Sequence, residues 1–174
     1  MVGMLLTVTA VGAVWDVRSG RVPNALTYTA AGAGLALNAV MRPSGIGLGP
    51  AALGLLVGFG PLFVVYLAGG LGGGDVKLMA AVGAFLGPLA TAYALLYACL
   101  VGAVMSVGVV LWKEGIGGAY LRFSGLFRRG REAAEMNRLR FPFAVAVFVG
   151  AAWATTERTM GRSVLDLLVT RFSA

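Results

Sequence analysis

Long stretches without any charged residue divide the chain into apolar segments. These stretches cover residues 1–15, 24–41, 43–74, 78–112 and 141–156. A helix needs about 20 apolar residues to cross the hydrocarbon core of a bilayer, with a range of about 17 to 25. Several of the stretches approach or exceed that length, so the pattern predicts a chain that crosses a membrane several times.

The two longest stretches contain glycine and proline residues where a helix should break. Stretch 43–74 opens with alternating prolines and glycines and closes with GGLGGG, so only its middle should be helical. Stretch 78–112 would be roughly 50 Å long as one helix, and Gly87-Pro88 offers a break. The prediction is an all-α polytopic bundle, one membrane domain over residues 1–174, with six spans near residues 2–16, 24–41, 50–68, 75–87, 89–112 and 141–157.

Composition agrees with a membrane domain and narrows the possible chemistry. Of the 174 residues, 59% are hydrophobic and 12% are charged, whereas roughly a quarter are charged in soluble domains. The chain has no histidine and one cysteine. We therefore expect no zinc site, no internal disulfide and no metal chemistry with nitrogen or sulfur ligands. Cys99 lies in an apolar run, and we interpret it as a small buried hydrophobic residue.

The net charge of +7 is concentrated in one segment. Half of the fourteen lysines and arginines lie between Lys113 and Arg140, which we interpret as a basic loop beside the membrane rather than a nucleic-acid site. Basic loops favour the cytoplasmic side. With six spans, this loop, Asp16 and Asp75 lie on the same side, so we expect a cell (inner) membrane protein whose two aspartates face the cytoplasm. The lipid bilayer is an expected partner and nucleic acid is not.

Two of the seven acidic residues stand where predicted spans meet this face. Asp16 ends the first span and Asp75 begins the fourth, and ionisable groups at membrane depth tend to mark function. Two carboxyl groups in one site repel each other, so one keeps its proton near neutral pH. The ionised member can then take a proton from water while its partner polarises a carbonyl group. The other acidic residues belong to the basic loop (Glu114, Glu132, Glu135) or to the tail (Glu157, Asp166).

A structural role for the two aspartates is the alternative. Each can cap a helix or pair with a neighbour, Asp16 with Arg18 and Asp75 with Lys77, and composition alone favours neither role. The run GGLGGG at residues 69–74 favours catalysis, because glycines let an extended substrate approach the backbone and add to it as a strand. A phosphate-binding loop is excluded, since the lysine and hydroxyl residue of a Walker sequence do not follow these glycines.

Three short blocks of sequence carry a family resemblance. The first is DVR at residues 16–18 followed by VPN at 22–24, and the second is GGGDVKL at 72–78 continuing into AVGAFLG at 81–87. A weaker third is FPFAVA at 141–146. Together they resemble the type IV prepilin peptidases, membrane aspartyl proteases of the GxGD class, and the chain looks most like the compact enzymes of tight-adherence (Flp-type) pili or the archaeal preflagellin peptidases.

The resemblance implies a six-helix endopeptidase that removes the leader peptide from prepilin-like precursors at the cytoplasmic membrane face. Asp16 and Asp75 would be the catalytic aspartates. Such a peptidase, with water as nucleophile, needs no metal and no cofactor. The residues that would bind substrate or shape the site are Gly72, Gly73, Gly74, Lys77, Arg18, Pro23 and Asn24. Larger members of the family carry a zinc-binding cysteine cluster and also methylate the new N-terminus. This chain has no such cysteines, so we expect no N-methyltransferase activity.

Several of these residues also have simpler interpretations. Lys77 stands two positions beyond Asp75 and should point to another helix face, which favours anchoring at the interface or lipid contact over a direct role. Arg18 either anchors the first loop or tunes Asp16. Pro23 is expected to start the second span through its fixed dihedral angle. Asn24 would then orient the preceding loop.

Glycine pairs with GxxxG spacing occur in two predicted spans. They are Gly54 with Gly58 and Gly83 with Gly87. Such spacing lets helices approach closely in lipid, and we interpret it as packing within one chain rather than a dimer seam. The oligomeric state stays open.

Leader cleavage is the first possibility, and two others compete with it. The second is a non-catalytic membrane assembly factor or a small proton-coupled transporter, which would use the aspartates for packing or proton transfer. A transporter is expected to show inverted repeats, and none is convincing here. The third possibility is a protease that cuts within a transmembrane helix.

Overall fold

The computed structural model describes residues 1–41, 46–125 and 143–160. Its six helices are α1 (Val2–Ser19), α2 (Asn24–Val40), α3 (Leu48–Leu67), α4 (Gly73–Leu86), α5 (Pro88–Gly125) and α6 (Phe143–Met160). Within these ranges no residue forms a β-strand. The predicted all-α fold is therefore confirmed.

Three helices in the described part of the chain are long and apolar enough to cross a membrane. They are α1, α3 and the part of α5 from Pro88 to Val109. A shorter apolar helix, Phe143–Glu157, lies within α6. Helices α2 and α4 have 17 and 14 residues. The chain is thus a polytopic helical bundle, and its number of membrane crossings stays a prediction.

Helix α4 lies at the centre of the bundle. Residues 78–86 are all buried, because α4 packs mainly against α2 and α3 and also contacts α1, α5 and α6. A short helix inside a membrane protein is accommodated when neighbouring helices surround it. The other helices therefore place the first turn of α4 at one end of the bundle interior.

Glycine lets α3 and α4 touch through their backbones. A Cβ on Gly54 would collide with the carbonyl oxygen of Gly83, and a Cβ on Gly83 would collide with that of Gly54. Gly58 faces the carbonyl oxygen of Met79 in the same way. The interpretation of the glycine spacing as internal packing is confirmed.

Glycine and proline separate α4 from α5 at the predicted position. Gly87 has φ 77° and ends α4, and Pro88 begins α5, which confirms the predicted break. The predicted end of the fifth span at residue 112 does not end the helix, since α5 continues to Gly125. The first part of the expected basic loop, residues 113–125, is therefore helical, and residues 126–142 lie outside the described ranges. Charged residues end an apolar span but do not interrupt backbone hydrogen bonds. The apolar span therefore ends at residue 112, while the helix ends at Gly125.

Two single residues lie elsewhere than the sequence indicates. Cys99 is exposed on α5, so its interpretation as a buried residue is wrong. A lipid-facing and a buried position have the same apolar surroundings in sequence, which explains the error. Glu157 belongs to α6 rather than to a tail beyond it.

Candidate active site

Asp16 lies in the last turns of α1 and faces the beginning of α6. Its side chain is buried, with 8% of its surface exposed, and its Oδ2 accepts a hydrogen bond of 3.3 Å from the backbone N–H of Ala144. Ala144 belongs to the first turn of α6, where backbone N–H groups have no partner within their own helix and carry partial positive charge. The N-terminus of α6 therefore stabilises a negative charge on Asp16.

Asp75 is the third residue of α4 and is buried to the same extent, with 8% exposed. Its carboxylate accepts a hydrogen bond from the backbone N–H of Gly72, the N-cap residue of the helix, as the acid of a capping box does. Among the described residues, the other oxygen, Oδ1, is buried and has no hydrogen-bond partner. Helix capping, the structural alternative, thus accounts for one oxygen of Asp75 and leaves the second unexplained.

The two carboxyl groups come together from separate helices. Asp16 and Asp75 lie close enough to interact electrostatically, and both are shielded from solvent. Two negative charges in such a place repel each other strongly, so the pair favours a state that holds one proton. An acid and a base within electrostatic reach of each other are the groups that general acid–base catalysis of hydrolysis by water requires.

The three glycines before Asp75 allow close approach of other groups. A Cβ on Gly74 would lie 3.1 Å from Cβ and 3.3 Å from the backbone nitrogen of Val22, in the turn between α1 and α2. Gly73 lies beside the ring of Tyr66, and a Cβ on Gly72 would lie 3.1 Å from Oδ2 of Asp75. None of the three has a positive φ. Space rather than backbone conformation therefore explains glycine at positions 72 and 74, whereas a Cβ on Gly73 would make only ordinary van der Waals contact with Tyr66.

Lys77 and Asn24 meet on another side of α4. Nζ of Lys77 donates a hydrogen bond of 2.9 Å to Oδ1 of Asn24 and lies 4.9 Å from the ring centroid of Tyr28. Pro23 is the N-cap residue of α2, which confirms the predicted start of that helix. The interpretation favoured from the sequence, that Lys77 anchors the interface or contacts lipid, stays a prediction. Sequence reasoning missed Tyr28, although its place one turn after Asn24 puts both on one helix face.

Arg18 and the third sequence block remain to be placed. Arg18 is exposed in the last turn of α1, where a cation suits the negative end of a helix. Residues 141–142 of the third sequence block lie outside the described ranges. The hydrogen bond from Ala144, in the same block, to Asp16 was not predictable, because a backbone contact of this kind depends on the fold.

The site is built from carboxylates and backbone amides. In residues 1–41, 46–125 and 143–160, no three side chains of His, Cys, Asp or Glu come together. The groups that meet here can hold a proton, accept one and hydrogen-bond to a polypeptide backbone.

Comparisons with known proteins agree in pointing to one family. Residues 3–107 match the family model described as the type IV leader peptidase family. Two curated relatives, each called a prepilin leader peptidase/N-methyltransferase, come from Aeromonas hydrophila and Aeromonas salmonicida (strain A449), and each is 34% identical over 122 residues. The match covers 66% of this chain and 41% of each relative, so the chain spans less than half the length of these relatives. No solved structure matches the chain significantly.

Proposed function

The chain belongs to the type IV leader peptidase family, and on this premise we propose that it is a membrane aspartyl endopeptidase that removes the leader peptide from prepilin-like precursors. The observation that carries the proposal is the meeting of Asp16 and Asp75, two buried carboxyl groups from separate helices. Both lie inside the segment that matches the family. Oδ1 of Asp75 is buried and has no hydrogen-bond partner in the described part of the chain, which supports a role beyond helix capping.

In the resting pair we assign the proton to Asp75 and the negative charge to Asp16. The N–H of Ala144 stabilises a carboxylate on Asp16, whereas Oδ1 of Asp75 is buried with no donor among the described residues to stabilise a charge on it. Asp16 removes a proton from water as the water oxygen bonds to the carbonyl carbon, and Asp75 gives its proton to the carbonyl oxygen. The product of this step is a neutral diol.

Collapse of the diol reverses the roles of the two groups. Asp16, now protonated, gives its proton to the leaving amide nitrogen as the carbon–nitrogen bond breaks. Asp75 takes a proton from one of the two hydroxyl groups, which restores a carbonyl in the new carboxylic acid. The pair ends with one proton, as it began, so it is ready for another substrate once the products leave.

The segment before α4 provides a surface for an extended substrate. The N–H groups of Gly69 and Gly70 bond to Tyr66 and Val65 and close the end of α3. Gly72 then has extended backbone angles, φ −79° and ψ 142°, and is exposed. A precursor lying along this segment would form backbone hydrogen bonds as an added strand does, and its scissile bond would lie beside Asp75.

Two finer parts of the proposal rest on the sequence. The basic segment from Lys113 to Arg140 supports a site that faces the cytoplasm at the inner membrane. The single cysteine among the 174 residues supports leader cleavage without methyl transfer, because a zinc-binding cysteine cluster cannot form from it.

Co-expression with a prepilin-like precursor tests the function. The unaltered chain should shorten the precursor, while Asp16→Asn or Asp75→Asn should slow conversion about 1,000-fold, since each removes one member of the acid–base pair. The amounts of each variant in the membrane must be equal. Continued conversion by either variant would reject the catalytic pair and leave an assembly factor or transporter as the alternative.

Mass spectrometry of the shortened precursor tests the finer statements. The proposed cut lies before the hydrophobic segment, so a cut within that segment would identify an intramembrane protease instead. A methyl group on the new N-terminus would contradict the absence of methyl transfer.

Labelling of a cysteine introduced near Asp16 tests the orientation. Ser19→Cys, combined with Cys99→Ser, places one exposed thiol just beyond Asp16. A reagent that cannot cross the membrane should reach this thiol from the cytoplasmic side. Labelling from the opposite side only would contradict the proposed orientation.

A further inference from the structure

The first turn of α4 is joined to the start of α2 by one directional contact. The ammonium group of Lys77 donates to Oδ1 of Asn24 at 2.9 Å and lies over the ring of Tyr28, 4.9 Å from its centroid. Asn24 and Tyr28 are one turn apart on α2, so they hold the ammonium group from the same helix face. Lys77 is half-buried, and its hydrogen bond to Asn24 lies at the exposed edge of the described helices.

This contact joins α4, which carries Asp75, to the start of α2, which follows the helix that carries Asp16. Asp75 precedes Lys77 by two residues, which places the two side chains about 200° apart around α4. A contact that holds Lys77 on one face therefore also fixes the direction in which Asp75 points on the other. Asn24 begins α2 directly after the turn that follows α1, the helix of Asp16.

The packing of Gly74 on Val22 brings the same segments together but does not orient them. Gly74 has no side chain, and its close approach to Val22 sets the distance between the two segments without a directional bond. The hydrogen bond from Lys77 has a defined donor and acceptor, and its charged donor makes it stronger than a neutral one. The Gly74–Val22 contact sets the distance between α4 and the turn after α1, and the Lys77–Asn24 hydrogen bond sets the orientation of α4 about its axis.

We propose that Lys77 is a positioning residue that, through Asn24, fixes the separation of the Asp16 and Asp75 carboxyl groups. The role of this separation in catalysis rests on the proposed function. The separation itself is a property of the fold and can be measured without any cleavage. In this role Lys77 contacts neither the reacting water molecule nor the substrate.

Cross-linking of two introduced cysteines measures the separation directly. Cys99 is the single cysteine of the chain, so Cys99→Ser provides a thiol-free background. Asp16→Cys and Asp75→Cys in that background should form an intramolecular disulfide under mild oxidation, detected by mass spectrometry of the digested protein. Adding Lys77→Met should slow this reaction about threefold to tenfold, as expected for the loss of one hydrogen bond. Asn24→Ala should have the same effect and serves as the second variant.

Tyr97→Phe is the matched control for cross-linking. It removes a side-chain hydrogen bond of 2.8 Å to Glu157, far from the two aspartates, and should leave the rate unchanged. If Lys77→Met and Asn24→Ala cross-link at the rate of the control, the positioning role is wrong. Because both aspartates are replaced, this result is independent of whether the chain is a peptidase.

Steady-state cleavage separates positioning from substrate binding. Lys77→Met should lower kcat about tenfold to a hundredfold with KM unchanged, because small displacements of reacting groups have effects of that size. Asn24→Asp keeps the acceptor and should retain most of the activity. The double variant Lys77→Met/Asn24→Ala should be no slower than either single variant.

Two kinetic results would overturn the positioning role. A higher KM with unchanged kcat would identify Lys77 as a substrate contact, and unchanged kinetics would leave it as a surface anchor. If the unaltered chain cleaves no precursor, the proposed function fails, while cross-linking still decides the role of Lys77.

Discussion

The two ends of helix α6 hold acidic side chains in different ways. At its beginning, Asp16 accepts a backbone N–H of α6. Near its end, Oε1 of Glu157 accepts hydrogen bonds from the hydroxyl of Tyr97 at 2.8 Å and from Nε1 of Trp153 at 3.1 Å. The 13 residues from Ala144 to Glu157 separate the two places by about 20 Å along the helix.

The partners of the acids explain the difference between these two ends. Glu157, which is partly buried, joins α5 to α6 through side-chain donors and so serves structure. At the other end, Asp75 uses one oxygen to cap α4 and keeps Oδ1 without a partner among the described residues. A buried polar atom left unpartnered beside a second acid is unfavourable for stability and useful for chemistry. An acid alone in a membrane helix therefore indicates little until its partners are known.

Gly74→Val should have the largest effect of the substitutions outside the aspartates. A valine at this position would push the first turn of α4 away from Val22 and separate the two carboxyl groups. Cleavage per folded molecule should fall at least about a hundredfold, measured with purified protein and a precursor peptide. The control is Gly60→Val, because a Cβ on Gly60 meets nothing within 4 Å. Equal activity of the two variants would show that the spacing at Gly74 is unimportant.

Asn38→Leu should affect stability rather than chemistry. Nδ2 of Asn38 donates to the carbonyl oxygens of Gly34 and Ala84, and Oδ1 accepts the N–H of Ile46. The variant leaves these buried backbone groups without their partner, which should lower the free energy of unfolding by about 1–3 kcal/mol. Thermal unfolding in detergent measures this change, with the exposed Thr7→Val as control. A loss of cleavage at unchanged stability would contradict the structural role.

Glu157→Gln should have the smallest effect. Glutamine keeps an oxygen that can accept from Tyr97 and Trp153, so cleavage should stay within about twofold of the unaltered chain, as surface or conservative changes usually do. The assay is the one used for Gly74→Val. If this substitution abolished cleavage while the protein remained folded, Glu157 would belong to the chemistry, and the distinction between the two ends of α6 would fail.

The ends of helices were predictable where glycine or proline determines the backbone conformation. Gly87-Pro88 separates α4 from α5 because glycine adopts the left-handed conformation there and proline suits the first turn of a helix. The end of α5 was not predictable from hydropathy, since the helix continues beyond the apolar span to Gly125. Hydropathy shows where lipid can surround a helix and does not show where its hydrogen bonds stop.

The sequence indicates which residues are candidates for the site, but it does not indicate which of them contact each other. Asp16 and Asp75 stand out because each is an acid at the edge of an apolar stretch, and their catalytic role stays a prediction. Lys77 and Asn24 were both candidates, but they are 53 positions apart, and only packing of α2 on α4 brings them together. Glu157 was assigned to the tail because it directly follows the last charge-free stretch, and its contact with Tyr97 on another helix depends on the fold.

A double-substitution cycle on the aspartates tests the central claim most directly. The cleavage rates of purified Asp16→Asn, Asp75→Asn and the double variant are compared with that of the unaltered chain on one precursor. Because groups that share one proton act as a unit, each single variant should lose about 1,000-fold and the double variant should be no slower than the slower single variant. Near-normal cleavage by either single variant, or losses that multiply in the double variant, would contradict a shared catalytic pair.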